Sequence, residues 1–301
     1  MAEAGGRTRS ISWLGALVAA ASSVWALTAC SGASPPAPTI PVVTTIYPLA
    51  QAVSAIGGRT VSVVDLATPG VDPRTQVLTA AQADQVRRAA VVFDVGDGFQ
   101  PAVEQVAGGQ SAAHSVVSLA PRFGPAANGA WLDPALMATV APVIAAALKT
   151  ANPAAAGEYS NGQQDFSAQV RSTSIDYQSG LADCAKKDVA APDSTLATLA
   201  SQYRLSLHQL GATPTPTAAQ VATAAATISS AGITTAFFEP WASPATVRAA
   251  ARRSGAKVRG FDTLEAPPAG GWPPGSTYLS LLATNLGTLT SALVCQTNAG
   301  Q

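Results

Sequence analysis

Between Ala154 and Cys184 the chain contains no proline, and Tyr159, Phe166, Val170, Tyr177 and Leu181 recur at intervals of seven, four, seven and four. That spacing puts five apolar side chains on one face of a helix. About 30 residues at 1.5 Å each would span roughly 45 Å. A helix of that length, midway along a chain of 301 residues, predicts a rigid spine between two bodies. Length alone points the same way, since domains run to roughly 150 residues. Two shorter helices broken near Gly157 or Gly162 remain the alternative, because a glycine costs only about 1 kcal/mol in a helix interior.

On both sides of this segment, short apolar runs alternate with helical ones. Ahead of it, Val42–Ile46, Val61–Leu66, Ala90–Val95 and Val116–Leu119 read as strands, with helices predicted over Leu49–Ile56, from Thr79 to Ala89 and over Pro101–Val106. Asp133-Pro134 opens a further helix to Lys149: the carboxylate can accept from the first free N–H groups, and proline sits where no N–H is needed. Behind the spine, Asp188–Ala191, Ile233–Phe238 and Ala256–Phe261 read as strands, and Ser194–Gln202, Ala218–Ser230, Ser243–Arg253 and Tyr278–Val294 as helices. This alternation argues an α/β fold with mainly parallel sheets.

The N-terminus describes export. Arg7 and Arg9 precede an apolar, uncharged run from Ile11 to Leu27, followed by Leu27-Thr28-Ala29-Cys30. A basic start, an apolar core and small residues before a cut site make a secretory signal. The last four residues resemble a bacterial lipobox, in which Cys30 would be acylated. A plain transmembrane anchor is the alternative reading. Ser31–Pro41 is a proline-rich tether that favours extended backbone. The expected organisation is therefore a signal over 1–29, a tether over 30–41, a first lobe over 42–151, a linking helix over 152–184 and a second lobe over 185–301. In an exported chain Cys184 and Cys295 can pair. The bridge would close a loop of roughly 110 residues, worth about 4–5 kcal/mol in the chain-entropy picture; two isolated thiols are the alternative.

Charged residues make up only 11% of the chain, 17 basic and 17 acidic. No basic patch stands out, which argues against a nucleic-acid partner. There is no Gly-x-Ser-x-Gly and no convincing nucleophile–histidine pair, so an enzyme is not expected. Attention falls instead on Pro69-Gly70-Val71-Asp72-Pro73-Arg74, a loop leaving the carboxyl end of a predicted strand, where ligands bind in α/β sheets.

Several stretches resemble, in order, the solute-binding lipoproteins of bacterial zinc and manganese ABC importers. Val42–Leu49 is similar to the first strand of that family, Pro69–Pro73 to its first ligand loop, and Trp131–Pro134 to the second. Leu199–Leu205 resembles the helix after the third ligand. Phe237–Pro240, Ser243-Pro244 and Asn285–Cys295 continue the match. The resemblance implies two βα lobes joined by one long helix, a divalent metal (zinc or manganese) held between them, an ABC permease and ATPase as partners, and attachment to the outer face of the cell membrane through a lipid anchor.

The family's ligand positions hold other residues here. The first histidine is Arg74, the second is Gly129, the third ligand falls on Asp193 and the final acid on Asp262. His114 and His208 lie off these positions. Glu239, at the end of a predicted strand, could add an oxygen donor. Transition metals favour imidazole or thiolate, and a guanidinium stays charged and repels a cation. Two consequences are expected: either Arg74 bridges Asp193 and Asp262 in place of an ion, or it points to solvent from an eroded cleft. The corresponding functions are a metal-type or other solute carrier, and an anchored pseudo-binding protein kept for contact with a partner. An oxygen-only site would lean toward manganese, magnesium or calcium.

Overall fold

The computed structural model of the chain describes residues 38–108, 115–241 and 243–296; the signal segment, Cys30 and His114 lie outside them. The first half is built as β1 (Ile40–Thr44), α1 (Tyr47–Gly57), β2 (Val61–Asp65), α2 (Ala80–Arg88), β3 (Val91–Asp94), α3 (Pro101–Gly108), β4 (Ser115–Ser118), α4 (Ala120–Phe123) and α5 (Pro134–Ala151). The spine is α6 (Ala156–Ala182). The second half follows as β5 (Asp188–Ala191), α7 (Ala197–Gln202), β6 (Ser206–Gln209), α8 (Ala218–Ser230), β7 (Thr235–Phe238), α9 (Ala245–Ser254), β8 (Lys257–Gly260) and α10 (Tyr278–Leu293).

Each half carries a four-stranded parallel sheet of one plan, β2-β1-β3-β4 in the first and β6-β5-β7-β8 in the second. Parallel strands need crossovers, and the helices supply them. Val42, Val43, Val91, Val92 and Phe93 are buried to within 1%, as expected of strands covered on both faces. The sequence pattern does not announce β6. Its sequence, Ser-Leu-His-Gln, has none of the β-branched character that marks the other strands. It is a half-exposed edge strand whose pairing to β5 supplies what propensity does not.

The spine is one unbroken helix of 27 residues. Tyr159, Phe166, Val170, Tyr177 and Leu181, the five predicted face residues, are all buried. Neither glycine breaks it, and Gly162 has a packing role. A Cβ there would overlap the carbonyl of Ile56 at the end of α1, so glycine is what lets α1 and α6 approach. One core runs along this helix from Ile46 and Phe93 in the first lobe to Phe237, Phe261 and Leu282 in the second. The lobes therefore share an apolar seam and belong to one compact unit, Ala37–Gln301.

Polar ties cross the same seam. The Tyr177 hydroxyl donates to the Leu282 carbonyl at 2.7 Å, and the Trp131 indole to the Thr263 carbonyl at 2.7 Å. Cys184 and Cys295 are disulfide-bonded across 111 residues, fastening the end of α6 to the end of α10. His208 on β6 sits 2.8 Å from Asp188 of β5, a pair on the flank of the second lobe.

Candidate functional site: a cation-filled cleft between the lobes

The carboxyl ends of both sheets face one another across a cleft, and the loops that leave them carry the polar residues. Arg74 and Asp72 lie in the loop after β2. Phe99 follows β3. Asp193 and Thr195 follow β5, Glu239 follows β7, and Glu265 lies beyond β8.

Arg74 is held in place before it reaches anything. The Asp72 carboxylate accepts from the Arg74 backbone N–H at 2.9 Å, closing a local turn. From there the guanidinium crosses to the second lobe. Its two terminal nitrogens donate to the two oxygens of Glu265 at 2.7 and 2.8 Å, a forked, bidentate pair. One of them also donates to the Thr195 hydroxyl at 2.8 Å, and the other lies 3.5 Å from Asp72. The Phe99 ring backs the guanidinium, with its centroid 4.5 Å from the central carbon. The Glu265 side chain has no exposure to solvent, whereas Arg74 keeps 25%. That opening is a cavity of about 280 Å³ beside Arg74, bordered by Gly96, Asp97, Phe99 and Asn128.

The resemblance places the final acid at Asp262; the acid that pairs with Arg74 in the structure is Glu265. Asp262 caps its own turn, accepting from the Leu264 N–H at 2.9 Å and from the Trp272 indole. Trp272 in turn packs on Tyr47 of the first lobe. Leu264 then adopts a left-handed conformation, φ 61°, which reverses the chain and swings Glu265 inward. An Arg74 bridge from Asp193 to Asp262 is thus replaced by a fork on Glu265. Asp193 bonds the Thr195 N–H at 2.8 Å and acts on Arg74 through its charge. Gly129, at φ 83°, contributes no side chain; a Cβ would run into the Thr195 carbonyl of the facing lobe, so its absence permits the two lobes to touch.

Glu239 was expected only as a further donor, and its setting is unusual. It is 1% exposed, and neither carboxylate oxygen has a hydrogen-bond partner among the described residues. Burial, followed by the negative charges of Asp193 and Glu265, pushes its carboxyl up to about 9, so at neutral pH it holds its proton. Burial also pushes Glu265 up, to about 7, with Arg74 pulling the other way. Burial works against the Arg74 charge, but Glu265, Asp193 and Asp72 more than offset it and hold the guanidinium protonated.

These residues do not suit zinc. Among the described residues, no three His, Cys, Asp or Glu side chains are grouped to hold a metal ion, and none of the cleft donors is imidazole or thiolate. What the cleft does hold is an internal ion pair spanning both lobes.

The fold has clear counterparts. The zinc-bound ZnuA-like domain of Streptococcus pneumoniae AdcA superposes with a TM-score of 0.75 at 19% identity, covering 85% of this chain and 99% of that one. The metal-dependent lipoprotein YcdH of Bacillus subtilis gives 0.75 at 20%, covering 85% and 100%. The laminin-binding protein Lmb of Streptococcus agalactiae, described as bifunctional with adhesin and metal-transporting activity, gives 0.74 at 20%, covering 84% and 99%. These establish the two-lobed binding-protein fold. Comparison with curated protein sequences returns no match. The sequence profile of one family, however, aligns with residues 42–292. With most of the chain matched in that way, the protein belongs to the family described as zinc-uptake complex component A, periplasmic.

Proposed function

We propose that this chain is the extracytoplasmic solute-binding lipoprotein of a metal-type ABC importer, anchored through Cys30, with a cleft degenerate for metal. The observation that carries the reading is the inter-lobe cleft itself. It lies at the carboxyl ends of two matched parallel sheets, where α/β folds bind ligands, and charged side chains from both lobes converge in it. Relatives of this fold described as zinc-bound or metal-transporting support a metal importer as the system in which it works. The proline-rich segment after Cys30 supports a body held off the membrane and free to meet a permease.

Chemical cross-linking of the native anchored protein in its own cells, followed by mass spectrometry of the adducts, tests the role. The expected adduct is an integral-membrane ABC permease subunit. Recovery of surface or wall components without any permease overturns the transport reading. In the same cells Cys30→Ala is expected to move the protein from the membrane fraction to the soluble one.

A further inference from the structure

We propose that Arg74 is a tethered cation standing where the cargo of a metal carrier would sit, so that the cleft closes on the chain's own side chain and excludes divalent ions. The inference rests on the reading above for the identity of the cleft, but its content concerns only this chain's residues.

Three independent features support it. The first is reach. Arg74 belongs to the first lobe, yet its guanidinium donates to Glu265 and Thr195 of the second, at 2.7–2.8 Å. A metal between two lobes does the same work, by giving both a common partner. A guanidinium can take that role because it presents several fixed donors in one plane and keeps its charge.

The second is the surplus of acid. Asp72, Asp193 and Glu265 act directly on Arg74, and Glu239 faces that same group of charges. Glu239 is buried, with both oxygens unpartnered among the described residues. Buried polar atoms are nearly always hydrogen-bonded, and an isolated acid gains nothing from the core around it. The cluster has more acceptor capacity than one guanidinium fills.

The third is access. The cavity of about 280 Å³ is bordered by Arg74 and not by the acids it pairs with, so shortening that side chain is what would extend it toward them. With Arg74 in place, a divalent ion would have to displace a forked pair whose acid has no solvent exposure, and would meet a fixed positive charge on the way.

The test compares the soluble chain from Ser31 onward, which retains the whole compact unit Ala37–Gln301, with Arg74→Ala and Arg74→Lys. Each is stripped with chelator and titrated with manganese, calcium or zinc chloride, while melting temperature and heat of binding are followed. The wild-type melting temperature is expected to stay unchanged with all three. Arg74→Ala is expected to melt lower without metal, to recover with manganese or calcium, and to bind them more tightly than the wild type by about tenfold or more. Adding Glu239→Gln and Glu265→Gln to Arg74→Ala should abolish that gain, which separates the cleft from surface binding. Arg74→Lys should keep the ions out, since the charge remains.

Stoichiometric binding of any of these ions by the wild type, with a melting shift, overturns the proposal. So does a folded Arg74→Ala chain that binds no better than wild type, or an Arg74→Lys chain that binds as Arg74→Ala does. If Arg74→Ala does not fold, Arg74→Gln, nearly as long but uncharged, carries the same two outcomes. The cross-linking result is read on the wild type without added metal. A chain that meets a permease but fails here loses only the tethered cation; one that passes here but meets no permease loses only the transport role.

Discussion

The two lobes are built on one strand plan but bring different groups to the cleft. The first contributes the cation, Arg74, backed by the Phe99 ring and flanked by Asp72. The second contributes Asp193, Glu239 and Glu265, together with the Thr195 hydroxyl. The matched sheets, β2-β1-β3-β4 and β6-β5-β7-β8, therefore fix where the loops emerge without fixing what they carry. When a carrier takes its cation from solution, both lobes can be acidic or neutral donors. Here the cation is already part of one lobe, and closure becomes a contact between complementary surfaces.

Reversing the charge of the first lobe should break that complementarity most severely. Arg74→Glu sets a further acid against Glu265, which cannot reach water. Breaking a buried pair costs about 3–5 kcal/mol, and adding repulsion should place this variant at or above the top of that range. Chemical denaturation with chelator present measures the loss. An increase in radius by small-angle scattering would show the lobes parting.

Removing the acid should cost less than reversing the cation. In Glu265→Ala the orphaned group is Arg74, whose side chain retains 25% exposure and can turn toward the adjoining cavity. A loss of about 2–3 kcal/mol is expected. A double-mutant cycle with Arg74→Ala should give a coupling of about 1–3 kcal/mol. A coupling near zero would mean that the fork contributes nothing to stability.

Glu239 turns the asymmetry into a pH dependence. In the folded chain its carboxyl ionises only near 9, but in the unfolded chain near the ordinary glutamate value of about 4.3. Between those limits the native state holds one more proton than the unfolded state. Stability is therefore highest in acid and falls as pH rises, at about 1.4 kcal/mol per pH unit within the window. Glu265, raised to about 7, adds to the slope in the lower part of the range. Among the described residues, Asp193, Glu265, Asp72 and Arg74 are the charged groups acting on Glu239, and Arg74 is the cation that relieves it. Melting curves from pH 5.5 to 8.5 should show the decline, and Glu239→Gln should flatten it above pH 7. An unchanged slope in that variant would assign the dependence to another group.

Much of the scaffold was legible because periodic patterns report directly on burial. The spine face from Tyr159 to Leu181 and the β-branched strands state their own geometry. So does the Asp133 cap, which accepts from the Ala135 N–H as expected. β6 was not legible, since Ser206–Gln209 has no β-branched residue and pairs at a half-exposed edge. The cleft was legible in part. Arg74, Asp193 and Glu239 could be named as charged residues at strand ends, but the burial of Glu239 depends on both lobes and leaves no local mark. Glu265 was missed for a local reason. Inward aim requires Leu264 at positive φ, and leucine gives no sign of a turn that glycine or asparagine would announce.

That miss sets up the smallest effect and the sharpest comparison, between two acids three residues apart. Asp262 lies in a capped turn: its Oδ1 accepts from Leu264 N–H and its Oδ2 from the Trp272 indole. Asparagine can keep the first bond through its carbonyl oxygen, but presents an amide donor to the indole donor. Asp262→Asn should therefore cost about 1 kcal/mol, the value of one hydrogen bond at a partly exposed site. It should leave the Arg74–Glu265 coupling as it was, because additivity holds for groups without shared partners. The same cycle, Arg74→Ala with Glu265→Ala, repeated in the Asp262→Asn background, decides the matter. Unchanged coupling assigns the electrostatic partner of Arg74 to Glu265 alone. A coupling reduced by more than about 0.5 kcal/mol would return Asp262 to the cluster, and with it the bridge that the sequence suggests.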